Sequence, residues 1–135
     1  GCRSVSKLFV PNDYNFDAFF EAMYHWNPII NGAKYANNYD YNKAVYLMSE
    51  FKMLENGFLM IKEDESYASP IATLFYEHYD SLESLSEKLN QDSSKIQCIV
   101  SNQLSDEHLP FGSTQTPKLE DYADGVDTVD FLLKI

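Results

Sequence analysis

Read from its amino end, the chain alternates short apolar runs with stretches of helical spacing. KLFVP, residues 7–11, reads as a strand that Pro11 stops, because proline has no N–H for a sheet ladder. Asn12, Asp13 and Asn15 follow with turn and cap chemistry. Phe16, Phe19, Phe20, Met23 and Trp26 then recur at helical spacing, which predicts a core-facing helix ending before Pro28. NPIINGAKYANNYD lacks a clean period and reads as a long loop, with Gly32 and the Asn37–Asn38 pair permitting turns. Beyond it Tyr41, Ala44, Val45, Met48 and Phe51 share a face, so a second amphipathic helix is expected, capped by Asp40 or Asn38.

GFLMIKE and PIATLFYEHY are apolar, β-branched or aromatic runs on either side of the acidic turn DESYAS, and both read as strands. SLESLSEKL carries a serine cap with glutamate three residues on, the spacing of a capping box, and places Leu82, Leu85 and Leu89 on one stripe, a third helix. KIQCIVS reads as a further strand. The closing LPFGSTQTPKLEDYADGVDTVDFLLKI begins with a turn-rich loop and then alternates around Val126, Val129, Phe131 and Leu133, which predicts a late strand able to pair outside the domain. Strands separated by helices argue for an α/β domain with a largely parallel sheet flanked by helices, and 135 residues suit one domain spanning 1–135.

Charge narrows the partners. Residues 1–62 carry six acidic and six basic side chains, whereas residues 63–135 carry fifteen and four, so the whole net charge of −11 falls in the second part. Such a surface repels phosphate backbones, which excludes nucleic acid as an expected partner. The two cysteines, Cys2 and Cys98, form no CxxC pair, and a reducing cytoplasm is expected. No stretch approaches the roughly 20 apolar residues of a membrane span. His25, His78 and His108 occur singly, without the spacing of a metal site, and no metal is expected.

Cys2 is the sharpest candidate for chemistry. A thiol just ahead of a helical turn gains thiolate character from backbone N–H groups, and Arg3 and Lys7 add positive charge close by in sequence. From the residues alone, a terminal stub without a role competes with this reading. Four segments bear on the choice: GCRSVSKLFVP, KYANNYDYNKAVYLM, NGFLMIKEDESYASPIA and PFGSTQTPKLEDYADGVDTVDFL. Together, and in this order over essentially the whole chain, they resemble the C-terminal part of acyl-CoA reductases, the fatty acyl reductases related to those of bioluminescence and built on the aldehyde dehydrogenase fold.

The resemblance implies that Cys2 of the GCR motif is the nucleophile that takes the acyl group of an acyl-CoA, and that NADP or NAD supplies hydride in the full-length enzyme. The five glycines stand singly and no GxGxxG is present, so the cofactor-binding part is expected upstream of Gly1, the chain being a C-terminal catalytic-domain fragment that binds no cofactor alone. In KEDESYASPIA the family places a glutamate on the nicotinamide ribose; Glu65 is the candidate, one position off the expected spacing from Pro70, with Ser69 where the family has glycine, and a plain acidic surface turn is the competing reading. PFG resembles a loop near the active site and marks Phe111 as a residue that touches substrate or only packs. Lys34, Asn37, Asn38 and Asp40 are candidates to line a pocket for CoA or the acyl chain, or to order their own loop. Relatives pair through a late strand, and a homo-oligomer is expected. The alternative is a non-enzymatic interaction or oligomerisation module, whose aromatic residues would form the contact face.

Overall fold

The computed structural model describes residues 4–104, 108–119, 121–122 and 126–135. They fall into two compact units, one over residues 5–85 and one built mainly from 86–135.

The first unit is a mixed α/β fold around a four-stranded sheet of order β1-β4-β3-β2. β1 (Lys7–Pro11) and β3 (Met60–Glu63) both run parallel to the central β4 (Thr73–Tyr79), and β2 (Met53–Glu55) closes the far edge antiparallel to β3. The largely parallel sheet expected from the alternation of runs is therefore present. β2 and β3 are joined by a tight turn in which Asn56 Oδ1 accepts from the N–H of Phe58 (3.3 Å) and Leu59 (3.0 Å). Gly57, at φ +91°, supplies the backbone conformation this turn requires.

Strand alternation sends side chains to two faces. On one, Val10, Ile61 and Leu74 are buried with Phe16, Phe58 and Leu59, and Leu8, Phe19, Phe20, Met23 and Tyr76 pack around them. That face is covered by α1 (Asp17–Met23), which tightens into a 3₁₀ helix over Tyr24–Asn31. The expected helix does not stop before Pro28, which lies inside the 3₁₀ segment. Winding to three residues per turn carries later positions off the 3.6-residue stripe. Trp26 consequently stands 59% exposed, and Ile30 turns inward instead.

The other sheet face meets α2 (Ala33–Met48), whose Tyr39 and Tyr46 are buried with Met60 and Ala72. Here the expected loop is a helix. Its buried stripe is Tyr39, Asn42 and Tyr46, aromatics and an amide where aliphatics would have marked the period. Asn38 and Asp40 lie within the helix and cap nothing, and Tyr41 and Met48, assigned to the inner face, are exposed.

β3 and β4 are parallel neighbours joined by residues 64–72 alone. Parallel neighbours ordinarily need a crossover of a dozen or more residues, usually a helix. This one is shorter and irregular, and it ends at Ala72, held at φ +64° while the Thr73 N–H donates to Pro70 O (3.1 Å).

α3 (Leu82–Gln91) begins as expected, with one substitution of role: Ser84 takes the place of glutamate in the capping box. Its N–H donates to Ser81 Oγ (3.1 Å), and Ser81 N–H donates back to Ser84 Oγ (3.3 Å). Leu85 and Leu89 are buried. The boundary between the two units falls within this helix.

In the second unit, KIQCIVS does not form the expected strand. Ser93–Lys95 make a 3₁₀ turn, and among the described residues the pairing nearby is a single parallel bridge, Val100 with Leu109. The late strand is also replaced, by α4 (Thr128–Leu133). Asp127 explains it: its carboxylate accepts from the Asp130 N–H (2.9 Å), an N-cap that starts a helix where side-chain alternation alone favoured a strand. Among the described residues no helix is long and apolar enough to cross a membrane.

Candidate functional site

The acidic turn after β3 is where the chain concentrates charge and hydrogen bonds. Lys7 and Lys62 stand opposite Phe75 in the parallel registers of β1 and β3, so all three occupy one face of the sheet. Both lysines are buried. A buried ammonium needs partners: Lys7 has three acceptors, and Lys62 has one carboxylate and a surround of aromatic rings.

Lys7 Nζ donates to Asp64 O (3.0 Å), Glu65 O (2.8 Å) and Glu77 Oε2 (2.7 Å), with the rings of Phe9 and Tyr67 at 5.1 and 4.9 Å. Lys62 Nζ donates to the Asp64 carboxylate and sits among the rings of Phe51 (4.3 Å), Phe75 (5.3 Å) and Tyr46 (5.6 Å). Asp64 Oδ1 also accepts the Ser66 N–H (2.9 Å). The Lys62 bond, and after it the Ser66 N–H, hold the Asp64 carboxyl well below its usual range, at about 2.

Glu65, the sequence candidate for the cofactor ribose, rides on this turn. Its backbone carbonyl is fixed by Lys7 while its side chain is exposed and makes no hydrogen bond among the described residues. The charge of Lys7 is engaged by the turn and by Glu77. Sequence reasoning missed this arrangement. The available signal was a lysine in each of two mainly apolar strands, KLFVP and MIKE, since a charge on a buried strand demands partners.

Phe111 lies in the second unit, at the first central position of a turn closed by Ser113 N–H to Pro110 O (3.2 Å). Gly112 follows at φ +84°, the conformation that makes glycine the natural third residue of PFG. The Phe111 side chain is 68% exposed, and its N–H is held by Asn102 Oδ1 (3.0 Å). Cys2 and Arg3 lie outside the described residues.

The four polar candidates of KYANNYDYN are placed on α2. Asn38 Nδ2 bonds back to Lys34 O (2.7 Å), and Asn37 and Asp40 are exposed. Lys34 borders an open, apolar groove of about 440 Å³ with Ile29, Ala33, Tyr35 and Ile71. The buried amide is Asn42, which donates to Ile71 O (3.0 Å) and so ties α2 to the end of the 64–72 crossover. Tyr39 donates to the Glu55 carboxylate, which also accepts from Lys43 (2.5 Å). Burial, then the bond to Glu55, pushes the Tyr39 hydroxyl far up, so it keeps its proton and staples α2 to β2. Burial works to raise Glu55, but the bonds from Lys43 and Tyr39 outweigh it and hold that carboxyl below its ordinary value.

His25 packs on Trp26 and His78 Nδ1 faces Pro11 O at 3.2 Å. Among the described residues no group of three or more His, Cys, Asp or Glu side chains is arranged to hold a metal, and Cys98 is a free thiol. No protein-family model matches the chain, and no curated protein and no solved structure matches it.

Proposed function

We propose that this chain is the nucleophile-bearing C-terminal part of an aldehyde dehydrogenase-like acyl-CoA reductase of the cytoplasm, which converts a fatty acyl-CoA to an aldehyde. The observation that carries the reading is the ordered run of four segments, from GCRSVSKLFVP to PFGSTQTPKLEDYADGVDTVDFL. Two features of the fold are compatible with it. β1 directly follows the cysteine segment, and the turn bearing Glu65 lies beyond the carboxyl end of β3, the side on which parallel α/β sheets receive ligands.

In this reading the Cys2 thiolate attacks the thioester carbonyl, the C–S bond to CoA breaks, and CoA leaves as a thiolate with the acyl group retained on Cys2. Sulfur suits both this step and the later release, being a strong nucleophile and a competent leaving group. A bound nicotinamide cofactor supplies the hydride that takes the acyl group to the aldehyde level. The exposed Glu65 carboxylate, on a backbone that Lys7 pins, fits the hydroxyls of a ribose as an acceptor. The rest of the cofactor site belongs to the proposed upstream part, and the chain alone is expected to be inactive.

The test is mass spectrometry of the full-length enzyme incubated with acyl-CoA and no nicotinamide. An acyl adduct on Cys2, absent from Cys2→Ala, is the expected result; an unmodified cysteine removes the reading.

One observation favours a second reading, an association module: Val129, Phe131, Leu132, Leu133 and Ile135 are all exposed at the C-terminal end. Homo-oligomerisation through this segment fits either reading. Sedimentation tests it, with a monomer at high concentration as the contrary outcome.

A further inference from the structure

Residues 64–67 form an exposed turn, yet the means of holding it are buried. The Lys7 side chain is 3% exposed and places all three of its N–H donors, two of them on main-chain carbonyls of the turn itself, Asp64 O and Glu65 O. Removing an ammonium from water costs several kcal/mol unless its partners are complete. Water would satisfy the carbonyls of an exposed turn without that cost. What a buried cation adds is a fixed position for the backbone, and Lys62 fixes the same turn from the other side through the Asp64 carboxylate. The need is clear from the connection: 64–72 is a short crossover between parallel strands with no helix to brace it.

The result is a contrast within one residue. The Glu65 main chain is pinned by Lys7, while its carboxylate is exposed and unengaged among the described residues. Lys7 cannot act as a nucleophile or base while all three donors are engaged.

We infer that Lys7 is a positioning residue for the nicotinamide cofactor: it clamps the 64–67 turn so that the Glu65 carboxylate is presented to a ribose, five residues after the nucleophile in the sequence. This rests on the acyl-CoA reductase reading above. It makes β1 a shared brace, following the acylated cysteine on one side and holding the ribose contact on the other.

The two half-reactions separate the outcomes. In the full-length enzyme, Lys7→Met keeps the apolar stem and removes the donors, Lys7→Arg keeps charge and donors, and Glu65→Gln replaces the charged ribose acceptor with a neutral amide. Two quantities are read: acyl adduct on Cys2 with acyl-CoA alone, and affinity for NADPH or NADH by fluorescence titration. Lys7→Met is expected to retain the adduct and to weaken cofactor binding by about tenfold or more, the loss of one charge-assisted contact. Glu65→Gln should weaken it comparably, the double variant no further than either, and Lys7→Arg should recover most of the affinity.

Unchanged cofactor affinity in Lys7→Met or in Glu65→Gln overturns the inference, as does a Lys7→Met enzyme that loses adduct and cofactor binding together while still folded. Should Lys7→Met fail to fold, Glu65→Gln and Lys7→Arg decide: wild-type affinity in the first, or no retained affinity in the second, sinks the proposal. A wild-type enzyme that forms no adduct at all removes the parent reading and this inference with it, an outcome distinct from an acylated enzyme indifferent to Lys7.

Discussion

The sheet of the first unit and the α4 end of the second use apolar residues in opposite ways. Residues 5–85 bury theirs on both faces of a sheet, with Met60 and Ile61 fully enclosed. At the end of the second unit, α4 leaves Val129, Phe131, Leu132 and Leu133 exposed around a capped six-residue helix. The first unit owes its structure to hydrophobic burial, and α4 owes its to a local cap. The difference teaches where substitutions will be felt, and it separates a region able to hold a chemical site steady from one suited to contact.

The sharpest way to break this comparison is a pair of truncations. Ile61→Ala removes packed volume from the sheet core and should cost about 2–5 kcal/mol in urea unfolding followed by circular dichroism. Phe131→Ala should fall within about 0.5 kcal/mol of wild type. Equal losses would mean that α4 belongs to a cooperative core after all.

Next in size is the polar tie between α2 and the crossover. Asn42 is buried and its amide donates to Ile71 O, so Asn42→Ala removes a part-buried hydrogen bond and should cost about 1 kcal/mol by the same measurement. Thr73 is its converse. Its hydroxyl, on a residue 3% exposed, has no partner among the described residues, and Thr73→Val keeps the shape and the strand preference while removing the orphan. A gain of about 1 kcal/mol is expected, and a loss would show that the hydroxyl is satisfied in solution.

These same positions mark how far the sequence could be read. β1, β3 and β4 were legible because KLFVP, MIKE and TLFYEHY are compact apolar runs, and α3 because leucines mark its stripe. α2 was half hidden, since Tyr39, Asn42 and Tyr46 make its inner face and hydropathy does not register an amide whose partner, Ile71, lies far along the chain. β2 is three residues long and takes its structure from pairing with β3, a contact no local pattern encodes. In the candidate site, the acidic turn around Glu65 was legible as a turn, whereas Lys7 was visible only as a charge. Its contacts exist because the β1–β4 and β3–β4 registers bring residues 7, 62 and 64 together, and register is a property of the folded sheet.

The smallest effect concerns the charge that faces Lys62, and it sharpens the comparison because it distinguishes a carboxylate bound to a buried cation from those on the open acidic surface. Asp64 is held at about 2, below its ordinary 3.8, chiefly by the Lys62 bond and then by the Ser66 N–H. A carboxyl whose folded pKa is depressed contributes stability that is fully present above about 3.8 and is lost as pH falls through about 2. Because the Asp64 side chain remains partly exposed, water screens the pair, and the contribution should stay below about 1 kcal/mol. Urea midpoints of wild type and Asp64→Asn should therefore differ at pH 5 and converge as the pH is lowered toward 2. Parallel curves for wild type and Asp64→Asn would mean that Lys62 does not prefer the charged carboxylate over a neutral amide. The turn would then rest on the Lys7 carbonyl bonds alone.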